Sequence, residues 1–149
     1  MDSDYKIRPI INTDFKWLFT RMRNDFPPQE RAPFFAIRRN LKNGIFEGFI
    51  LTDDKSNFAY SLDTLSKDNS SVLLNYLAVE KAYRNKGLGT VLLELLQEHY
   101  VKNKAIIVEV ERSCDTKNNE ENKILTVLVR RFFIGSLRHY QGQYGSLGI

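Results

Sequence analysis

A strand, a basic loop with two glycines and a helix follow one another between Val72 and Lys102. The strand, Val72 to Val79, is almost wholly apolar, which is typical of a strand buried on both faces of a sheet. From Leu88 onward, apolar residues recur at helical spacing, which predicts a helix to about Lys102. The loop between strand and helix contains Gly87, Gly89 and three cations, Lys81, Arg84 and Lys86.

This arrangement can bind phosphate. The first N–H groups of a helix have no partners within the helix, and the helix dipole adds partial positive charge there. Glycine lets the backbone come close to an anion. Two phosphate motifs are excluded, because Leu92 stands where the dinucleotide fingerprint needs glycine, and Thr90-Val91 stand where a P-loop needs Lys-Ser/Thr. The alternative is a tight turn whose basic residues are merely solvated.

The 149 residues predict one domain, residues 1–149, with the element order β-α-α-β-β-β-α-β-α. One proline pair, glycines and changes of apolar period set the boundaries. The predicted elements are a strand Tyr5 to Ile11, a helix capped by Asn12 and stopped by Pro27-Pro28, a helix Gln29 to Lys42, strands Ile45 to Thr52, Asn57 to Leu65 and Val72 to Val79, the helix from Leu88, a strand Ala105 to Val110, and a helix Lys117 to Phe133.

The loop resembles the acyl-CoA-binding motif of the GNAT acetyltransferase superfamily, Arg/Gln-x-x-Gly-x-Gly/Ala after a strand ending in Leu-Ala-Val. Arg84, Gly87 and Gly89 match the motif, and Leu77-Ala78-Val79 match the strand end. Within the superfamily, Asn24 to Phe34 and Glu109-Val110-Glu111 resemble a group of uncharacterised bacterial members. The resemblance implies the GNAT fold, an α/β (α+β) mixed sheet flanked by about four helices, here with a short or atypical C-terminal hairpin.

The resemblance also implies transfer of an acetyl group from acetyl-CoA, as cosubstrate, to an amine of a small molecule or a peptide. Backbone N–H groups of the loop would anchor the pyrophosphate, and the end of the fourth strand would pair with the pantetheine arm. The cofactor-binding residues so implied are Leu77, Ala78, Val79, Arg84, Asn85, Lys86, Gly87, Leu88, Gly89 and Thr90.

Proton transfer is assigned less directly. Many relatives carry a glutamate midway along the fourth strand, where this chain has Leu73-Leu74-Asn75. Glu109 and Glu111 alternate with Val110 and share one strand face, so either is a candidate base; the alternative is a solvated strand end. Phe132-Phe133 stand where relatives often have Phe-Tyr, so Tyr140 is the substitute acid, or else an ordinary core or surface tyrosine.

Glu30 and Arg31 lie between the first two helices, a junction that often borders the acceptor site in this fold. They are candidate substrate-binding residues, or alternatively they cap and solvate a helix start. The single cysteine, Cys114, allows no internal disulfide, and with two histidines no metal site is expected. Acetyl transfer through an acyl-cysteine at Cys114 is a further possibility, but no partner histidine lies nearby in the sequence.

Acids and bases alternate along most of the chain, and the excess of +4 lies at Arg38-Arg39, Lys81 to Lys86 and Arg130-Arg131. A nucleic-acid-binding protein usually concentrates such charge on one face, so we expect no nucleic-acid partner. No apolar run approaches the roughly 20 residues that span a bilayer, and the polar N-terminus does not resemble a signal peptide. We therefore expect a cytoplasmic protein without a membrane partner. The alternative functions are a CoA-binding regulatory module without efficient catalysis and a basic nucleic-acid-binding domain.

The C-terminus predicts an incomplete sheet. After Phe133 only Ile134 to Ile149 remain, enough for one short strand around Leu137 to Tyr144. The fifth strand would then keep a poorly covered edge, which favours pairing with another chain. We expect either a homodimer or a C-terminal end that closes over bound CoA.

Overall fold

One six-stranded sheet, with its strands side by side in sequence order, organises the chain. We describe residues 4–103, 105–111 and 124–129 of a computed structural model. The strands are β1 Lys6–Pro9, β2 Glu47–Thr52, β3 Asn57–Leu65, β4 Ser71–Val79, β5 Ala105–Glu111 and β6 Ile124–Val129. Neighbouring strands are antiparallel except β4 and β5, which are parallel and joined by a helical crossover.

The helices cover both faces of this sheet. They are α1 Phe15–Asp25, α2 Phe34–Lys42 and α3 Leu88–His99, so the described residues contain three α-helices where about four were expected. Helices α1 and α2 pack against one face, and the residues that they bury there include Leu18, Met22 and Ile37. On the other face, α3 buries Leu92 and Leu96. Within the described part of the chain, no helix is long and apolar enough to cross a membrane.

The start of α1 differs from the prediction that Asn12 caps it. Residues Asn12–Asp14 form a 3-10 turn, and Asp14 is the N-cap residue of α1. The Asp14 carboxylate accepts two hydrogen bonds from Arg8, at 2.8 and 2.9 Å, and one from the Ile11 N–H at 2.8 Å. The bond from Arg8 holds the pKa of Asp14 below its usual value. The turn is therefore anchored to β1 by an ion pair.

The second helix begins at Phe34, five residues later than predicted. Pro28–Glu30 form a separate 3-10 turn, and Pro33 precedes the first helical residue. A proline disfavours helical backbone in the residue before it, here Ala32, so the helix cannot extend back through that position. The residues between α1 and α2 therefore form an irregular segment.

A polar cluster at the end of α3 joins the buried residues Asp63 and Tyr100 to the partly exposed Glu47. The Tyr100 hydroxyl lies 2.9 Å from Asp63 Oδ2 and 2.8 Å from Glu47 Oε2. One hydroxyl has one proton, so one of these carboxyls must carry a proton if both contacts are hydrogen bonds. Burial raises the pKa of Asp63 to about 7. We infer that Asp63 is the protonated carboxyl near neutral pH and that Tyr100 donates to Glu47.

The predicted helix Lys117 to Phe133 is wrong over its described part, because residues Ile124–Val129 form β6. This short apolar run is rich in β-branched residues, which favour strands. β6 pairs with β5 from Ile106↔Val129 to Glu111↔Ile124, so the expected uncovered edge of the fifth strand is also wrong. That edge therefore gives no reason to expect a homodimer, and the predicted strand Leu137 to Tyr144 lies outside the described residues.

Candidate active site

The fourth strand loses its parallel neighbour halfway along its length. Pairing between β4 and β5 runs from Ser71↔Ala105 to Leu74↔Val108 and continues no further in the described residues. On its other edge, β4 pairs with β3 as far as Val79, but the register skips Asn75, which forms a β-bulge. The second half of β4 therefore has a free edge, and the strands separate immediately after the bulge.

Hydrogen bonds at the strand end show which backbone groups face this free edge. The Glu80 N–H donates to the Phe58 carbonyl of β3 over 2.8 Å. Residues alternate in an antiparallel pair, so the N–H and C=O of Val79 and Leu77 point away from β3. The Val79 carbonyl indeed accepts a hydrogen bond from Arg84 Nε at 3.0 Å. Both polar groups of Leu77 and the Val79 N–H are thus directed into the gap between β4 and β5.

The loop after β4 presents further N–H groups. Asn85 and Gly87 have left-handed backbones, with φ of 63° and 78°. The first helical hydrogen bond of α3 runs from the Val91 N–H to the Gly87 carbonyl at 3.2 Å, and no side chain caps this end within the described residues. The N–H groups of Leu88, Gly89 and Thr90 therefore have no partner within the helix, an arrangement that can bind an anion.

The space around the Cα atom of Gly87, directly before these N–H groups, is open. A Cβ atom placed on Gly87 would have no atom of the described structure within 4 Å. Leu88 and Gly89 are buried at the start of α3, so they can offer a ligand only their backbone, whereas Lys86 is exposed. The Lys86 ammonium lies 5.7 Å from the centroid of the Tyr83 ring. An exposed cation thus lies directly before the N–H donors at the start of α3.

The guanidinium of Arg84 is held by the protein itself. Besides the Val79 carbonyl, it donates to Asp25 Oδ1 at 2.8 Å. The other carboxylate oxygen of Asp25 accepts from the Tyr60 hydroxyl at 2.9 Å. Burial, and then the negative charge of Asp25, raise the pKa of Tyr60. The sequence analysis predicts that the charge of Arg84 lies beside a phosphate. In the structure, two N–H donors of its guanidinium hold the loop to β4 and α1.

Next to this network lies a cleft of about 380 Å³ lined by Arg21, Asn24, Asp25, Lys81 and Arg84. Arg21 forms an ion pair with Glu80 at 3.0 Å. The cleft lies between the basic loop and the end of α1, so its positive charge comes from two elements that are distant in sequence.

The segment between α1 and α2 lies over the free half of β4. The Ala32 N–H donates to the Tyr76 hydroxyl at 2.9 Å, and the Phe26 ring meets Tyr76 edge-on at 5.3 Å. Arg31 donates to the Phe26 carbonyl at 2.7 Å, whereas Glu30 is exposed. The structure therefore brings Arg31 to the rim of the free half of β4 and leaves Glu30 in solvent.

The predicted proton-transfer residues fall at or beyond the limit of the described residues. In β5, Glu109 and Glu111 lie past the last residue that pairs with β4, opposite Thr126 and Ile124 of β6. Tyr140 lies outside the described residues, as does Cys114. The roles of these four residues remain predictions.

Comparison with known proteins identifies the family. Residues 7–120 match the family model described as the acetyltransferase (GNAT) family, which is more than half of the chain. The chain belongs to the GNAT family. Among curated protein sequences, no match to this GNAT domain was found.

Solved structures share the fold of this GNAT domain. The ribosomal-protein-S18-alanine N-acetyltransferase of Escherichia coli is 23% identical, with a TM-score of 0.61 over 74% of this chain and 70% of that one. A GNAT-family protein of Bacteroides thetaiotaomicron is 20% identical, with a TM-score of 0.64 over 95% and 99%. NAA60 of Arabidopsis thaliana, in complex with acetyl-CoA, is 15% identical, with a TM-score of 0.59 over 72% and 75%. At these identities the likeness establishes the fold of the domain.

Three residues of the GNAT site were missed by sequence reasoning. Asn75 carried one local signal, since it is a lone amide within an apolar strand. Asp25 and Tyr76 carried none, because their partners, Arg84 and Ala32, lie 59 and 44 residues away in the sequence. Only the fold brings these pairs together.

Proposed function

We propose that this GNAT domain transfers an acetyl group from acetyl-CoA to an amine acceptor. The observation that supports this best is that two sets of free N–H groups, one on β4 and one at the start of α3, follow each other closely along the chain. The free edge of β4, with Leu77 and Val79, leads within ten residues to the unpaired N–H groups at the start of α3. An extended arm carrying a pyrophosphate at one end matches both: the N–H groups of α3 bind the phosphates, and β4 pairs with the arm.

The chemical step needs positioning and charge stabilisation. The acceptor nitrogen attacks the thioester carbonyl carbon, a C–N bond forms, and the C–S bond breaks to release CoA as a thiolate. The N–H group of Leu77 or Val79 can donate to the oxyanion that develops on the carbonyl oxygen. Holding both reactants at this edge converts a bimolecular encounter into a step within one complex, which can lower the barrier by several kcal/mol.

Two protons must also be moved. The acceptor ammonium loses one before or during attack, and the departing thiolate takes one up. We assign the first transfer to Glu111 or Glu109, which belong to the part of β5 beyond its pairing with β4. Tyr140 is the proposed acid for the thiolate. Arg84 acts in this proposal chiefly by positioning the loop, while Lys86 supplies charge to the phosphates.

A second function is favoured by one observation. The bulge of β4 carries the amide of Asn75, which donates to Thr64 Oγ1, and not a carboxylate. A domain that binds acetyl-CoA without efficient transfer, as a sensor or regulatory module, would have no need of a base at that position.

One experiment separates the two. Purified protein is incubated with acetyl-CoA and a panel of small amines, amino acids and peptides, while thiol release is followed and products are identified by mass spectrometry. Acetylated product formed well above the uncatalysed rate supports the acetyltransferase. Saturable acetyl-CoA binding without acetylated product across the panel supports the binding module instead, and absence of binding contradicts both.

A further inference from the structure

The positive charge of this protein is concentrated in one layer of the fold. Residues 15–42, which span α1, α2 and the segment between them, contain seven Lys or Arg and two Asp or Glu, a net charge of +5. The whole chain carries +4, so the rest of it is close to neutral. Of the two acids in this layer, Asp25 is bound to Arg84 and only 6% of its side chain is exposed. The outer surface of the α1–α2 layer is therefore strongly cationic.

Two of these cations lie against one aromatic ring. The guanidinium carbons of Arg23 and Arg31 lie 5.1 and 5.0 Å from the centroid of the Phe34 ring. Phe34 is itself stacked on Phe19, with centroids 4.6 Å apart. Arg31 is further held by its hydrogen bond to the Phe26 carbonyl. Such cation–π contacts keep the charge and orient the guanidinium, which lowers the entropy lost when it binds an anion.

These arginines have no carboxylate partner inside the described structure. The ion pairs found there occupy Arg8, Arg21 and Arg84, and none joins Arg23 or Arg31 to an acid within 4.0 Å. Their remaining donors can therefore bind an external carboxylate, and a charge-assisted bond of that kind is about twice as strong as a neutral one.

The position of the pair connects it to the reaction. Arg31 immediately precedes Ala32, whose N–H is bonded to Tyr76 in the free half of β4. In the proposed function, which this inference extends, the acceptor amine reaches the thioester at that free half. An acceptor held there would lie near Arg31, the residue directly before Ala32, and Arg23 shares the Phe34 ring with Arg31.

We propose that the acceptor is the amine of an acidic peptide, with its carboxylates held by Arg23 and Arg31. Cationic acceptors, such as polyamines, would be repelled by the same layer. A peptide suits the site better than a nucleic acid, because it carries an aliphatic amine together with carboxylates a few residues away. Phe35 of α2, the residue after Phe34, is 71% exposed and offers an apolar surface.

The test uses three peptides of equal length and identical N-terminal residue, with Asp/Glu, Ser or Lys at the next four positions. We expect kcat/KM for acetyl transfer to be at least about tenfold higher for the acidic than for the basic peptide, and this ratio to fall with added salt. Arg23→Gln/Arg31→Gln should abolish the preference, whereas Arg23→Lys/Arg31→Lys should retain much of it. Lys55→Gln/Lys67→Gln, in two exposed turns, is the matched control and should leave it unchanged.

A binding experiment tests this inference separately from the proposed function. The same peptides, labelled at the C-terminus, are titrated against protein saturated with CoA, and a single-stranded oligonucleotide of equal charge serves as competitor. Tight binding of the acidic peptide without acetyl transfer would contradict its role as acceptor and sustain only the binding of its carboxylates by Arg23 and Arg31. Preference for the basic or neutral peptide, no binding of the acidic one, or tighter binding of the oligonucleotide would overturn the inference.

Discussion

Arg84, in the loop between β4 and α3, donates to Asp25 at the end of α1 over 2.8 Å, across 59 residues of sequence. Asp25 directly precedes the segment that lies over β4, and Arg84 also holds the carbonyl of Val79. One ion pair therefore joins the loop that would bind the phosphates of CoA to the segment that would border the acceptor. We expect it to stabilise the fold and to position both sides of the site.

Replacing either member should weaken both the fold and the binding of acetyl-CoA. For Asp25→Asn or Arg84→Gln we expect the free energy of unfolding to fall by about 1–3 kcal/mol, since each removes a charge-assisted hydrogen bond from a mostly buried carboxylate. Urea denaturation measures this, and a double-mutant cycle should show coupling. Asp54→Asn, which breaks the exposed pair with Lys6, is the control and should have no measurable effect. Additive effects of Asp25→Asn and Arg84→Gln would contradict the assigned contact.

The buried Asp63 should make stability fall as the pH rises. Its pKa is raised to about 7 in the folded protein, from 3.8 in an exposed chain. The folded state therefore binds more protons between these values, and stability is lost from about pH 4 up to about pH 7. As the pH rises from 5.5 to 8, ionisation of Asp63 should lower the free energy of unfolding by about 2 kcal/mol, at 1.36 kcal/mol per pKa unit. Asp63→Asn should remove that dependence in urea denaturation; an unchanged slope would mean that Asp63 is ionised throughout.

The hydroxyl of Tyr76 should matter for the acceptor and not for acetyl-CoA. Tyr76→Phe removes the group that accepts the Ala32 N–H, a loss of about 1 kcal/mol. We expect KM for the acceptor to rise several-fold while KM for acetyl-CoA stays constant. Tyr5→Phe, at a ring packed against Phe58, serves as the control. Equal increases in both KM values would argue that the substitution disturbs β4 itself.

Glu111→Gln should lower turnover more than it lowers acetyl-CoA affinity. The substitution keeps the size of the side chain and removes the proposed base, so we expect kcat to fall by about 10²-fold or more. The acidic limb of the pH–rate profile should disappear with it. Glu94→Gln, on the exposed side of α3, is the control, and Glu109→Gln tests the alternative base. An acidic limb that persists in Glu111→Gln would exclude Glu111 from this role.

Local patterns predicted most of the fold. Strand β3 lies at its predicted bounds, Asn57–Leu65, because alternation and turn residues mark both ends. The strand–loop–helix unit around Gly87 also agrees, since a buried strand, glycines and a change of apolar period are all local signals. Failures occurred where local signals conflict: Ile124 to Val129 fit both a helix face and a strand, and pairing with β5 decides between them.

The candidate site was predictable only in part. The backbone donors of the loop follow from the glycine motif, which is continuous in sequence. The partner of Arg84, the bulge at Asn75 and the contact between Ala32 and Tyr76 depend on tertiary packing. These three features are stabilised by burial and by contacts between residues that are far apart in the sequence. No short stretch of the sequence therefore predicts them.

The most direct test of the account is acetyl-CoA binding by two variants of Gly87. Both Asn and Asp tolerate the left-handed backbone at this position, φ 78°, and the two side chains have the same shape, so they differ chiefly in charge. Isothermal titration and thermal unfolding with acetyl-CoA should show that wild type is stabilised, by about 2.7 kcal/mol at 100 times the dissociation constant. We predict that Gly87→Asn keeps most of this stabilisation and that Gly87→Asp loses it. Equal affinities for the two variants, or no binding by the wild type, would contradict a phosphate site at the start of α3.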